Sequence, residues 1–256
     1  FTIAQKNYQM QLTKNIDESR VLFLDIECVS GEAHFEMLPE DMQALWRHKA
    51  KSVLKTPDFS EEELQASYTN NAGIFAEFGK IVCISVGFVF LDKASNKKSI
   101  KLKSFAGPDE DILLKDFAEL LNQYYPDSSK SYICGHNIKE FDIPYICRRM
   151  LVNSIPLPHI IDVAGKKPWE TAHFIDTMEM WKFGDRKNFT SLKLLAAVLG
   201  FPSPKDDIDG SEVGRVYWEE NDIDRISLYC EKDVLATAQL YLRLALKPLL
   251  STEHVI

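Results

Sequence analysis

The chain is short of several things, and each shortage closes off a class of protein. Its 256 residues contain no apolar run near the ~20 residues that a membrane-spanning helix needs. Five cysteines are present (Cys28, Cys83, Cys134, Cys147 and Cys230), and none forms a CxxC pair. Most lie inside apolar runs, as reduced, buried thiols do in an intracellular, cytoplasmic protein. The six histidines show no HxxxH spacing and no grouping with cysteine, which argues against zinc. Positive charge is in deficit: 30 Lys and Arg stand against 38 Asp and Glu, a net −8. That balance argues against a uniformly basic nucleic-acid-binding surface. Repeats, heptads and low-complexity tracts are missing too, which removes solenoids and coiled coils. The first twenty residues are polar and lack the apolar centre of a signal peptide. The sequence opens at Phe1, not at methionine, so residue 1 does not define a native N-terminus.

What is present is an ordinary globular composition, 45% hydrophobic, at a length suited to one large domain. Residues 1–19 read as an extension and 20–250 as a single domain. RVLFLDIEC is an apolar run bounded by charge and predicts a buried strand. KIVCISVGFVF predicts a second strand and SIKLKSFAG an alternating third, joined by the polar LDKASNKK as a hairpin. Residues 109–125 carry Ile112, Leu113, Phe117, Leu120 and Leu121 at helical intervals, with aspartates in the first turn. SYICGHN predicts a short strand ending at Gly135. FDIPYICRRMLVN then predicts a helix with Pro144 in its first turn. HFIDTMEMW is taken as a fifth strand. SLKLLAAVLG predicts a helix stopped by Gly200. A long amphipathic helix over DIDRISLYCEKDVLATAQLYLRLAL closes the chain. The order implies an α/β fold, one mixed five-stranded sheet flanked by helices. The polar segment 31–72 reads as a helical insertion over the sheet edge.

Within this frame, four carboxylates are anomalous. Asp25 and Glu27 lie two apart on the first strand and so share a face. That strand is apolar on both sides, so its carboxylates need cations or hydrogen bonds. Asp142 opens a helix, where free N–H groups favour an anion. Tyr229 and Asp233 lie four apart on one face of the last helix. Singly, each has a bland reading: a solvated strand face, a helix N-terminal residue, an ordinary helix pair. Converging, the four acids repel one another unless cations hold them. Oxygen donors select Mg²⁺ or Mn²⁺, and a pair of such ions suits in-line attack on a phosphodiester. Asn137 could orient a ligand or stabilise its turn, and Phe141 could stack on a base or join the core. Asp162, Asp176 and Asp185 also lie near strand ends; Asp176 reads as a hydrogen-bonding residue. The pairs Arg148–Arg149, Lys166–Lys167 and Arg186–Lys187 read as solvated surface; Arg186 and Lys187 could equally contact substrate phosphate.

The ordered set of motifs resembles the DEDD superfamily of 3′–5′ exonucleases. Tyr229-x-x-x-Asp233 is similar to the tyrosine subclass (DEDDy); the histidine subclass would need histidine where Leu228 stands. FGKIVCISVG, HNIKEFDIPYICRR and DGSEVGRVYWEENDIDRISLYCEKDVLAT resemble stand-alone exonucleases similar to the exonuclease domain of family B DNA polymerases. The resemblance implies a ribonuclease H-like (DnaQ-like) fold and two divalent cations, Mg²⁺ or Mn²⁺. It implies that Asp25, Glu27, Asp142 and Asp233 are metal ligands and that Tyr229 positions the attacking water. It implies substrate contacts at Ile26, Cys28, Asn137 and Phe141. The expected reaction is removal of nucleoside 5′-monophosphates from a DNA 3′ end, with single strands preferred. An exoribonuclease, or a nucleic-acid-binding module without catalysis, are the alternatives.

Overall fold

β1 (Val21–Ser30) organises the molecule because it is apolar on both faces. Leu22, Leu24 and Ile26 point into one cluster; Val21 and Phe23 point into another on the opposite side. The period of two along a strand makes this division. Each fully buried side chain of this kind contributes roughly 1.5–3 kcal/mol, so the strand is anchored from both sides. The structure is a computed structural model and describes residue 13 and residues 16–93, 96–187, 189–202 and 208–250. The extension expected over residues 1–19 lies mostly outside them.

β1 pairs antiparallel with β2 (Gly79–Asp92), which pairs antiparallel with β3 (Lys97–Ala106). On its other side β1 runs parallel to β4 (Tyr132–Gly135), and β4 runs parallel to β5 (Phe174–Asp176). The sheet order is β3-β2-β1-β4-β5. This mixed five-stranded α/β sheet is the ribonuclease H-like arrangement.

Two helices, α1 (Glu40–Val53) and α2 (Glu61–Asn71), form within the segment between β1 and β2. Ser60 and Glu63 start α2 with a capping box. Trp46, Leu64 and Tyr68 give these helices a small core of their own. The segment does not run over a sheet edge, as the sequence suggested. It packs at the C-terminal end of the central strand: Gly31 N–H donates to Phe78 O, Glu32 N–H donates to the Tyr68 hydroxyl, and Gly73 lies against Val29.

The helices α3 (Glu110–Tyr124) and α4 (Asp142–Val152) cover the face that holds Leu22 and Leu24. A buried ion pair joins them: Arg149 donates to Glu110 at 2.6 Å. Arg149 is therefore not the solvated surface residue that its place in a basic pair suggested. The other face is covered by α6 (Leu192–Leu199) and α7 (Ile223–Leu244). HFIDTMEMW is not one strand either. The Asp176 carboxylate accepts from the N–H groups of Met178 and Glu179, which ends β5 after three residues and starts α5 (Thr177–Lys182). No helix among the described residues is long and apolar enough to cross a membrane.

Candidate active site

Asp25 and Glu27 project from β1 on the α7 side. A register shift between Glu27 and Cys28 interrupts the β1–β2 ladder right at these residues. Such bulges re-aim side chains beside a site. Glu27 is 8% exposed. Facing them from α7 is Cys230, and a carboxylate oxygen from each acid and the cysteine sulfur lie within 4.8 Å of one another.

Asp142 arrives by a different route. β4 ends at Gly135, and His136 is held between Thr177 Oγ1 and Thr190 O, each 2.9 Å away. Asn137 then takes a left-handed conformation, φ 67°, which asparagine tolerates better than most residues. Asp176 fixes this turn by accepting the N–H groups of Asn137 and Lys139. The turn delivers Asp142 as the first residue of α4, 4% exposed. The backbone N–H groups of Ile26 and of Asp142 itself point at its carboxylate. Pro144 sits in the first turn, where no N–H partner is required. Asp176 thus has the hydrogen-bonding role the sequence suggested. Asp162 is exposed on a loop.

Electrostatics tie the four acids together. Burial pushes the Asp25 carboxyl well above its ordinary range, and Glu27, Asp142 and Asp233 add to the effect as like charges. Burial also pushes Glu27 up, with Asp233 and Asp142 contributing. Asp142 rises to about 7, mainly through burial, with Asp176 adding to it; the N–H groups of Asp142 and Ile26 oppose the shift. Buried carboxylates that raise one another's pKa lack enough positive charge in the protein alone. Tyr229, half-buried and one helical turn before Asp233, belongs to the cluster that includes Trp218 and Ile223.

Cys230 is a residue that sequence reasoning assigned to the core alone. Its sulfur lies 3.4 Å from Asp25 O and 3.5 Å from Asp25 Oδ2. Burial drives the Cys230 thiol well above its ordinary range, with neighbouring Cys83 and the carboxylates contributing. It is therefore an S–H donor to Asp25 and not a thiolate. The set left to hold an ion is carboxylate oxygen, which fits hard divalent cations and not zinc. The available signal was the position of Cys230 itself, between Tyr229 and Asp233 on the same helix.

A groove of about 230 Å³ opens beside Glu27. Ile26, Cys28 and Phe141 line it, three of the four residues singled out for substrate contact; Asn137 does not. Phe141 also packs partly on the core, its ring 5.5 Å from that of Tyr145. The opposite wall comes from Thr69, Asn70 and Ile74, at the end of α2 and just after it, and from Gly210, Ser211 and Gly214. The insertion thus helps to build the groove, which its polar, weakly patterned sequence did not signal. The Tyr229 hydroxyl points toward the same loop, 3.9 Å from where a side chain on Gly210 would begin.

The sheet thus gathers acids at the C-terminal end of its central strand. The chain belongs to the family of predicted 3′–5′ exonucleases related to the exonuclease domain of PolB, whose profile matches residues 75–253. The match includes Asp142, Tyr229 and Asp233 and begins after β1. No curated protein matches the chain. Among solved structures, the chain is similar to the family B DNA polymerase from the hyperthermophilic archaeon Pyrobaculum calidifontis, with 17% identity and a TM-score of 0.47. That likeness covers 87% of this chain and 24% of the polymerase, so the chain spans about a quarter of that protein.

Proposed function

We propose that this protein is a metal-dependent 3′–5′ exonuclease acting on DNA, with single-stranded ends preferred, and releasing nucleoside 5′-monophosphates. Asp25, Glu27, Asp142 and Asp233 hold two divalent cations, Mg²⁺ or Mn²⁺. When bound, these ions offset the carboxylate charge and supply Lewis acidity at the reacting phosphate. The observation that carries the reading is the set of buried carboxyls around the end of β1: Asp25, Glu27 and Asp142 are all raised, chiefly by burial, with nearby like charges adding to it. Such a cluster is costly unless a charged ligand is part of the design.

The chain's own groups then have separate tasks. Ile26 and Cys28 form the floor of the groove under the terminal nucleotide. Phe141 stacks on its base, which holds a frayed end in place. The Tyr229 hydroxyl hydrogen-bonds the attacking water and fixes its line of approach, the kind of positioning that converts proximity into rate. Asn137, outside the groove, acts through the turn that carries Phe141 and Asp142. A single-stranded end is favoured because unpairing a terminal base costs a few kcal/mol.

The test uses 5′-labelled DNA and RNA strands of one sequence, each with Mg²⁺ and with excess EDTA. Stepwise shortening from the 3′ end, faster on DNA and abolished by EDTA, is expected. Internal cuts, shortening from the 5′ end, or full activity in EDTA would overturn the reading. Faster attack on the RNA strand would turn it into an exoribonuclease.

A further inference from the structure

A cavity of about 700 Å³ lies away from the carboxylates. It lies at the opposite end of β1, where Arg20 immediately precedes the strand. Asp25 and Glu27 follow five and seven residues later, roughly 16–23 Å along an extended chain. Its floor is Leu22 and Val86, on the α3 side of the sheet, away from Cys230. We propose that this cavity is a second site, which binds a nucleotide.

Charge and rings carry the proposal together. Arg20, Lys101, Lys103 and Lys130 line the cavity, and no acidic residue does. In a chain of net −8 that is a local reversal of sign. Lys130 shares its charge with Asp127 at 3.4 Å. Arg20, Lys101 and Lys103 make no ion pair among the described residues. Lys103 Nζ lies 4.4 Å from the centre of the Phe105 ring and Arg20 lies near Asp17, and cations gathered around one concavity attract a multiply charged anion. A bare anion would not need the rest of the lining. Phe88 and Tyr124 are 39% and 65% exposed at this cavity, beside the half-buried Tyr125. Exposed rings offer stacking surface to a flat base. A base on the rings with phosphates at the lysines meets both features. The volume is in the range of small-molecule sites, about 300–1,000 Å³. The proposal does not rest on the exonuclease reading.

ADP is the probe, titrated by calorimetry into the full chain in EDTA, so that binding through divalent cations at the carboxylates is removed. One equivalent should bind. Lys101→Glu/Lys103→Glu should weaken it on the order of tenfold or more while leaving nuclease activity unchanged. Both lysines are exposed on the edge strand β3, so the fold should tolerate the change; an unaltered melting temperature checks this. Phe88→Ala, with the charges intact, should also weaken ADP. The site is disproved by absence of saturable ADP binding up to millimolar concentration, or by equal ADP affinity in the lysine variant and the parent. Inorganic pyrophosphate binding as tightly as ADP would overturn the nucleotide assignment.

Discussion

The Cys230 sulfur lies 3.5 Å from Asp25 Oδ2, so the helix that carries Tyr229 and Asp233 also holds an acid of the central strand. The contact crosses from α7 to β1. Behind it, Cys83 lies near the Ser227 hydroxyl, and Ser85, Ser104 and Glu231 continue the polar chain. A protonated thiol is a modest donor, but it has a fixed direction.

Removing that donor should misplace Asp25 without removing the acid. Cys230→Val keeps a small buried side chain and loses the S–H. We expect turnover to fall roughly tenfold, in keeping with the loss of an outer partner of a ligating carboxylate. Divalent-ion affinity should weaken in parallel, and Cys230→Ser should recover part of both. Measuring turnover and Mn²⁺ affinity for the two variants checks this. A Cys230→Val protein as active as the parent would reduce the thiol to packing.

Tyr229 and Asp233 should separate cleanly. Asp233→Ala removes a carboxylate from the cation site, and activity should drop below detection with weaker Mn²⁺ binding. Tyr229→Phe removes a hydroxyl alone. It should keep fold and cation affinity and lose on the order of 10²-fold in turnover. Both should still bind a 3′-ended oligonucleotide when Mn²⁺ is in excess. Wild-type turnover in Tyr229→Phe would make the tyrosine a helix residue of no catalytic consequence.

The sheet was legible because its strands are dense apolar runs between turn signals, and because β1 carries two acids where both faces are apolar. The acids that meet were legible by residue type and order. Their meeting depends on contacts between segments far apart in sequence: Cys230 reaching Asp25, and Ile26 N–H reaching Asp142. Local pattern cannot carry these. Asp176 misled the strand boundary because a single side chain caps α5 immediately after Ile175. Arg149 misled for the complementary reason. Its partner Glu110 lies 39 residues away, and nothing near Arg149 in sequence announces a buried pair. The wall that Thr69 and Asn70 give the groove was hidden in an insertion with little periodicity.

Glu110 is the residue that should test stability without touching the site. It accepts from Arg149 at 2.6 Å, from Asn153 at 3.0 Å and from Ile81 N–H at 2.7 Å. Glu110→Ala leaves the largely buried Arg149 guanidinium with Ala76 O but without its carboxylate, and the buried Ile81 N–H without its acceptor. Breaking a buried pair by removing one partner costs on the order of 3–5 kcal/mol. Chemical denaturation should show that loss, while metal dependence of any residual nuclease activity stays as in the parent. A destabilisation below about 1 kcal/mol would mean that water replaces the carboxylate.

Asp142 gives the protein a pH dependence whose sign is fixed. Its folded-state pKa of about 7 stands above the unfolded value of 3.8. Between those values the folded chain binds a proton that the unfolded chain has released. The contribution of Asp142 therefore makes stability fall as pH rises from about 4 to about 7, by an amount of order 4 kcal/mol if fully expressed. Asp25 and Glu27, raised for the same reasons, act in the same direction. His136 and His173, lowered mainly by burial, act oppositely: their stability is lost as pH falls below about 6.5. Comparison with Asp142→Asn separates the effects, since the amide keeps an oxygen to accept the N–H of Ile26 and carries no charge. In EDTA at pH 8 the variant should melt above the parent, and the gap should close as the pH is lowered toward 4. Mg²⁺ at pH 8 should raise the parent's melting temperature and shift the variant less. Equal melting temperatures for the two proteins at pH 8 in EDTA would mean that the Asp142 carboxylate is not strained by its burial, and the case for a cation held there would lose its electrostatic basis.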